Sequence, residues 1–321
     1  MGKIDLMGKR VLVTLPLTEA QRQGFRSLIE GAGGEVVFIL EPNVTKDDVD
    51  AASLILGNVP AQTLHEPKGL EWLQTSSAGY DHYLAPGRLA PDTLLTNATG
   101  AYGQAVSEHM FAQLLCLMKK LHRYRDNQVH RFWHDEGSVD TLVGKTVLVM
   151  GTGDIGTAFA RLVHAMGATV WGVRRHVSVC HEPFVRMIEL SDVRSFLGAV
   201  DVVASVLPSS DESRGLANKD FFDAMKPGSY FVNAGRGDLV VTEDLCEALG
   251  SNHLAGVALD VTNPEPLPED NPLWAEPNAL ITPHVAGFWH LQATTDNVVG
   301  ICLDNLRAYI AEEPLRNVVD W

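Results

Sequence analysis

Three ionisable residues of complementary type stand in similar contexts along the C-terminal half of the chain. Arg236 lies in FVNAGRGDLV, Glu265 follows Asp260 in LDVTNPEPLP, and His284 lies in LITPHVAGFWH. In each stretch a short apolar run, of the kind a buried strand makes, passes directly into a loop rich in glycine or proline. A guanidinium can hold a carboxylate, an imidazole can move a proton near neutral pH, and a carboxylate beside that imidazole orients it and favours its charged form. The three side chains are thus equipped for an acid–base step on a substrate that carries a carboxylate. Taken singly, each has a plainer role: an arginine capping a strand end, a solvated glutamate, a histidine that only hydrogen-bonds.

A second motif says where such a step would take place. VLVMGTGDIGTAFARLVHAMG sets Gly151, Gly153 and Gly156 in the GxGxxG spacing, after the apolar run Thr146–Met150 and at the start of a helical pattern. In that context the glycines serve a tight turn, a close approach of backbone to a pyrophosphate, and helix–strand packing. The turn and the helix start, with Asp154 and Ile155, are therefore assigned to a dinucleotide. The acidic residue that would hold a ribose 2'-hydroxyl belongs about 20 residues further on. That offset falls on VWGVRRH, where Arg174 and Arg175 stand, and no Asp or Glu occurs between Asp154 and Glu182. A guanidinium pairs with a 2'-phosphate that a carboxylate would repel. NADP(H) is therefore the preferred cofactor, without barring NAD(H), whose adenosine and pyrophosphate contacts are the same.

These residues need a scaffold that brings strand ends together, and the surrounding pattern supplies one. RVLVTL, EVVFIL, SLILG and LEWLQTSS read as strands of a first series, with EAQRQGFRSLIEGAG as a helix closing on glycine. A long amphipathic helix is predicted from about Gln104 to Arg123, because Val106, Met110, Leu114, Leu117, Met118 and Leu121 recur at three and four residues. A second series follows through TVLVM, TVWGV, VVASVLP, SYFVNAG, LAGVALDV and ALITPHV, and a last amphipathic helix spans about Leu291–Ile310. Strands alternating with helices predict parallel, doubly wound α/β sheets, in which ligands sit beyond the carboxyl ends of the strands. Arg236, Glu265 and His284 all fall on that edge, the edge on which the glycine turn places the cofactor.

Composition narrows the partners. The 321 residues are 45% hydrophobic and carry a formal net charge of -15, so phosphate backbones and anionic lipid are poor partners. Four cysteines, Cys116, Cys180, Cys246 and Cys302, form no CxxC pair, and no metal site is expected. The N-terminal MGKIDLMGKRVLVTLPL lacks the apolar core of a signal peptide, and no apolar run reaches membrane-spanning length. A cytoplasmic protein is expected.

Taken in order, GTGDIG, LPSSDESRGL, MKPGSYFVNAGRGDLV, ALDVTNPEPLP and ITPHVAG resemble the blocks of the D-isomer-specific 2-hydroxyacid dehydrogenases, with SSAGYDHY like the substrate loop and AVSEHMFAQLL like the interdomain helix. The resemblance covers nearly the whole chain. It implies two doubly wound domains, Rossmann-like and flavodoxin-like, with a cleft between them: a substrate domain of 1–98 plus about 290–321, and a dinucleotide-binding domain of 99–289. It implies a catalytic trio of Arg236, Glu265 and His284, and substrate contacts from Ala78 and Gly79, with Ser77 nearby. It also implies that Asp260 meets the nicotinamide carboxamide and that Leu207, Pro208, Ser213 and Ala234 line the cofactor. A homodimer built on the cofactor domain is implied as well. The expected activity is hydride transfer between NADP(H) and a small 2-keto or 2-hydroxy acid such as hydroxypyruvate or glyoxylate. A glutamate beside His284, where a formate dehydrogenase keeps glutamine, argues against formate. The alternatives are a 3-phosphoglycerate or phosphite dehydrogenase on the same fold, and a dinucleotide-sensing, corepressor-like binding module.

Overall fold

The computed structural model describes residues 4–177 and 179–321. The chain divides into two compact units, Met1–Ala101 with Trp289–Trp321, and Tyr102–Phe288.

The first unit runs through Arg10–Val13 (β1), Glu19–Gly31 (α1), Glu35–Phe38 (β2), Lys46–Asp50 (α2), Leu54–Leu56 (β3), Trp72–Gln74 (β4) and Leu94–Thr96 (β5). Local sequence sets the helix starts. Thr18 caps α1 and Gln21 reaches back to it, and Thr45 with Asp48 does the same for α2, satisfying donors that a helix start leaves open. The five strands pair in parallel in the order β2-β1-β3-β4-β5, the flavodoxin-like winding. Strand β5 escapes the sequence reading because it is three residues long and shows no alternation.

The second unit contains Gly103–Met118 (α3), Leu121–Val129 (α4), Thr146–Met150 (β6), Asp154–Ala165 (α5), Thr169–Arg174 (β7), Phe184–Glu189 (β8), Val202–Ser205 (β9), Lys219–Ala224 (α6), Ser229–Asn233 (β10), Thr242–Gly250 (α7), Leu254–Leu259 (β11) and Ala279–Ile281 (β12). Its seven strands are parallel in the order β12-β11-β10-β9-β6-β7-β8. The chain leaves β6 toward β7 and β8, then returns to the other side at β9. That reversal makes the β6–β9 boundary the switch point where a doubly wound sheet binds ligand. Alternate residues of β6 face different cores. Val147 and Val149 pack with Met110 of α3 and Phe159 of α5, while Leu148 and Met150 join the core that holds Phe221, Phe222 and Phe231. A sheet covered on both faces needs such near-continuous apolar strands. Helix Gln292–Ile310 (α8) belongs to the first unit, where Asn305 donates to Gln74 at 2.7 Å.

The long helix expected over Gln104–Arg123 is broken. It stops at Met118 and restarts at Leu121, with Lys120 in the left-handed region at φ 55. The ammonium groups of Lys119 and Lys120 each donate at 2.5 Å to a carbonyl of the following segment, at Asp140 and Glu136. Asp140 N–H also returns to Met118 O at 2.9 Å. This tertiary closure ends the helix, although the apolar spacing runs on.

Candidate active site

The glycine turn divides its work as the spacing implies. Gly151 has φ 97, a conformation that side chains other than glycine rarely adopt. A β-carbon on Gly156 would lie 1.8 Å from Gly151 O, so α5 packs directly on the turn. A β-carbon on Gly153 would meet nothing within 4 Å. The turn is therefore bare where a ligand has to approach the backbone. Gly153 is also the N-cap of α5 and no side chain caps that helix, which leaves the first N–H groups at Asp154, Ile155 and Gly156 to an anion. These features suit a dinucleotide pyrophosphate.

At the end of β7, Arg174 and Arg175 are exposed. Arg174 makes no ion pair among the described residues, whereas Arg175 Nη2 lies 3.0 Å from Glu212 Oε2. Glu212 belongs to the loop after β9 that carries Leu207, Pro208 and Ser213. The Ser210 hydroxyl, its own backbone and Arg175 hold the Glu212 carboxyl below the usual carboxylate range. Ser213 is buried and serves its own loop, donating to Pro208 O at 2.8 Å and accepting from Ser210 N at 2.9 Å. Ala234 N–H donates to Ser205 O at 3.0 Å, and the next residue, Gly235, sits tight against the Leu207 backbone.

The three ionisable residues follow neighbouring strands β10, β11 and β12. Arg236 opens the turn after β10, with Nη1 2.8 Å from Gly235 O and its carbonyl accepting from Asn233 Nδ2 at 2.9 Å. A β-carbon on Gly237 would lie 1.9 Å from Thr262 O, so this turn lies directly against the loop after β11. In that loop Thr262 N–H donates to Glu265 Oε1 at 3.0 Å. The other oxygen, Oε2, is 2.8 Å from His284 Nδ1. A carboxylate can only accept there, so Nδ1 carries a proton and Nε2 is the nitrogen left to exchange one. The His284 side chain is 52% exposed, open enough to meet a substrate.

His284 holds a left-handed backbone at φ 52, which costs a residue with a β-carbon about 1–2 kcal/mol. Asp260, 2% exposed, secures it. Its carbonyl accepts from His284 N at 2.7 Å, and its carboxylate accepts from Val285 N at 3.0 Å and Ala286 N at 3.1 Å. The same carboxylate takes the Thr282 hydroxyl at 2.6 Å, and behind Thr282 stand His109 and Gln113 of α3. The sequence reading missed this cluster, in which Asp260 and Gln113 are buried and His109 and Thr282 half-buried. Its one visible signal is His109 and Gln113, two polar residues four apart and so on one face of α3. Among the described residues Asp260 keeps one unspent lone pair, on Oδ2.

In the first unit, Ser77, Ala78 and Gly79 form the loop after β4. Asn58 braces it, accepting from Ser76 N at 3.0 Å and from Ser77 Oγ at 3.3 Å. Ser77 Oγ lies 2.6 Å from Gly79 O. The N–H groups of Ala78 and Gly79 take no partner among the described residues, leaving two adjacent backbone donors. Tyr83 is fully buried, and that burial pushes its ionisation well above the usual range; its hydroxyl donates to Val59 O at 2.9 Å and accepts from Val59 N at 3.0 Å.

Among the described residues no group of His, Cys, Asp and Glu is placed to hold a metal ion, and no helix is long and apolar enough to cross a membrane. Residues 111–286 match the family model for the NAD binding domain of D-isomer specific 2-hydroxyacid dehydrogenases. Glyoxylate/hydroxypyruvate reductase B of Enterobacter sp. is 30% identical over 281 residues, 83% of this chain and 85% of that protein. A D-isomer specific 2-hydroxyacid dehydrogenase family protein of Aeromonas salmonicida superposes with a TM-score of 0.83 at 31% identity, covering 98% of this chain and 99% of the other. The NADPH-dependent glyoxylate/hydroxypyruvate reductase of Sinorhizobium meliloti, solved with NADP and sulfate, gives 0.79 at 26% identity over 97% and 98% of the two chains.

Proposed function

The chain belongs to the D-isomer specific 2-hydroxyacid dehydrogenases, NAD(P)-dependent oxidoreductases of hydroxy acids, and on that premise we propose that it is an NADP(H)-preferring reductase of a small 2-keto acid of the hydroxypyruvate or glyoxylate kind. The observation that carries the reading is the Glu265–His284 pair, 2.8 Å apart at the sheet edge that also bears Arg236 and the bare turn at Gly153.

A dinucleotide held at the turn of Gly151, Gly153 and Gly156 would supply the hydride for the keto carbon. His284, protonated on both nitrogens, gives the Nε2 proton to the keto oxygen and keeps Nδ1–H on Glu265. In the reverse direction Nε2 takes the hydroxyl proton. Arg236 binds the substrate carboxylate and draws charge from the adjacent carbonyl. Ala78 and Gly79 offer two more donors of the kind a carboxylate takes, with Ser77 fixing the loop that presents them. Asp260 accepts from the nicotinamide carboxamide, and Leu207, Pro208, Ser213 and Ala234 form the loops along the cofactor. The absence of a carboxylate after β7, together with Arg174 and Arg175, supports NADP(H), as does the NADPH dependence of the Sinorhizobium relative. The substrate and dinucleotide domains of this reading are 1–98 with about 290–321, and 99–289.

The enzyme works as a homodimer in the cytoplasm. Four exposed apolar residues, Leu121, Val129, Phe132 and a fully exposed Trp133, support the dimer; a monomer in sedimentation equilibrium at micromolar concentration refutes it. Four free cysteines suit a reducing compartment, and fractionation of the source cells tests that placement. The function itself is tested by initial rates on hydroxypyruvate and glyoxylate with NADPH, for wild type and His284→Ala. Loss of about a hundredfold or more in kcat with the fold intact is expected. Near-normal turnover by the variant, or no turnover of any 2-keto acid by the wild type, refutes it.

A further inference from the structure

We infer that Thr282, held from behind by His109 and Gln113, is a positioning residue for His284. The inference rests on the reading of His284 as the proton donor.

The direction of each hydrogen bond follows from the groups present. Thr282 Oγ1 is 2.6 Å from Asp260 Oδ1, 2.9 Å from His109 Nε2 and 3.1 Å from Gln113 Nε2. A hydroxyl has one proton and two lone pairs, and a carboxylate can only accept. The Thr282 proton therefore goes to Asp260, and both α3 side chains must donate to Thr282. His109 carries a proton at Nε2, and Gln113 turns its amide nitrogen inward, leaving its buried oxygen without a partner among the described residues. The threonine hydroxyl is fully used: one bond given, two received.

That arrangement fixes which way the Asp260 carboxylate faces. With Oδ1 held by Thr282, the two oxygens are aimed at Val285 N and Ala286 N, the two amides that follow His284. Thr282 itself cannot shift, because its own N–H continues the sheet to Leu259 O at 2.9 Å. The imidazole is thus set from two sides. Glu265 holds the ring at Nδ1, and the α3–Thr282–Asp260 relay holds the left-handed backbone from which the ring projects. Thr282 touches neither the ring nor any reacting atom, so its effect passes through His284.

The test is a double-mutant cycle of Thr282→Val and Thr282→Ser in wild-type and His284→Ala backgrounds, reading kcat and KM for hydroxypyruvate and NADPH. Valine keeps the shape and removes the hydroxyl; serine keeps the hydroxyl. Thr282→Val is expected to lower kcat by about ten- to hundredfold, the cost of a misplaced reacting group, with both KM values within about threefold. Thr282→Ser should stay within about threefold of wild type, and Thr282→Val should cost almost nothing once His284 is alanine. An activity-independent readout is the imidazole Cε1–Hε1 NMR signal of His284, identified by its loss in His284→Ala, which should move in Thr282→Val and not in Thr282→Ser. If Thr282→Val does not fold, His109→Phe removes one of the two donors behind it and should move the same signal. Unchanged kcat in Thr282→Val, or an equal loss in both backgrounds, overturns the inference. Undiminished turnover by His284→Ala fails the underlying reading instead, and the NMR comparison still decides whether Thr282 positions the ring.

Discussion

Replacing Arg175 with alanine should lower NADPH use and leave NADH use nearly unchanged. The guanidinium stands just after β7, where the proposed reading places the 2'-phosphate that alone distinguishes the two cofactors. A hydrogen bond to a charged group is worth about 1.5–3 kcal/mol when sheltered. The Arg175 side chain is 59% exposed, so solvent screening reduces the figure to about 1–2 kcal/mol. That corresponds to a roughly five- to thirtyfold fall in kcat/KM for NADPH, since about 1.4 kcal/mol is tenfold. Arg174→Ala should act similarly. Glu212 adds a second, opposite expectation. Its carboxylate already occupies Arg175 at 3.0 Å, and the incoming phosphate must displace or share that contact. Because Glu212 is held ionised by Ser210, its own backbone and Arg175, it also repels the phosphate. Glu212→Gln should therefore raise kcat/KM for NADPH by about two- to fivefold, the range of a surface ion pair, and lessen its sensitivity to salt. The assay is initial rates on hydroxypyruvate with each cofactor at matched ionic strength. Equal losses with NADPH and NADH in Arg175→Ala would reduce the arginine pair to a solvated loop. A fall in NADPH use in Glu212→Gln would show that Glu212 prepares Arg175 for the phosphate.

Gly237→Ala should damage the site and the fold together, because its β-carbon would lie 1.9 Å from Thr262 O and 2.1 Å from Thr262 C, backbone atoms that cannot rotate away. Displacing Thr262 disturbs the N–H that holds Glu265, so a loss of about tenfold or more in kcat is expected. A melting temperature lower by about 3–10 °C should accompany it, from an overpacking cost of about 1–3 kcal/mol; unchanged kinetics and melting would refute the contact. Asp201 gives a pH-dependent stability term. Burial works to raise its carboxyl, but Lys226 at 2.7 Å, Thr146 N–H at 2.9 Å and Lys145 outweigh it and hold it below the usual range. A lowered folded value means stability that is fully present above the unfolded carboxyl, about 3.9, and is lost as pH falls through the folded one. Asp201→Asn should thus lower the urea midpoint at pH 7, with the gap to wild type closing below about pH 4. A gap independent of pH would refute the charge-based account.

The parts of the site that the sequence made legible are those governed by local rules. GTGDIG could be read because each glycine answers a different steric demand within six residues. Arg236, Glu265 and His284 could be grouped from their strand-to-loop contexts because parallel strands deliver every following loop to one edge of the sheet. Contacts that depend on distant residues could not be read. Glu212 reaches Arg175 across 37 positions, and His109 meets Thr282 across 173, with no periodicity linking either pair. The short strand β5 and the edge strand β8 were missed for a related reason: edge strands are only half-covered, and Phe184–Glu189 mixes buried and exposed positions without strict alternation. The break at Lys120 was hidden in the same way, since the apolar spacing continues through it while distant carbonyls decide the backbone.

This division between local and distant control also explains where strain is tolerated. His284 is a β-carbon-bearing residue at positive φ in the middle of the candidate site, a conformation that local preference works against. It persists because the surrounding structure over-determines it: the carbonyl and both carboxylate oxygens of Asp260 accept from three consecutive amides, and the Thr282 hydroxyl holds that carboxylate. From this left-handed backbone the ring reaches Glu265 through Nδ1 at 2.8 Å. The half-buried α3–Thr282–Asp260 cluster supplies the restraint, and a polar cluster can do so only because nearly every donor and acceptor in it is matched. On the proposal made above, a chain that kept Arg236, Glu265 and His284 but lost that hydroxyl would retain the groups proposed for catalysis and lose the alignment of His284.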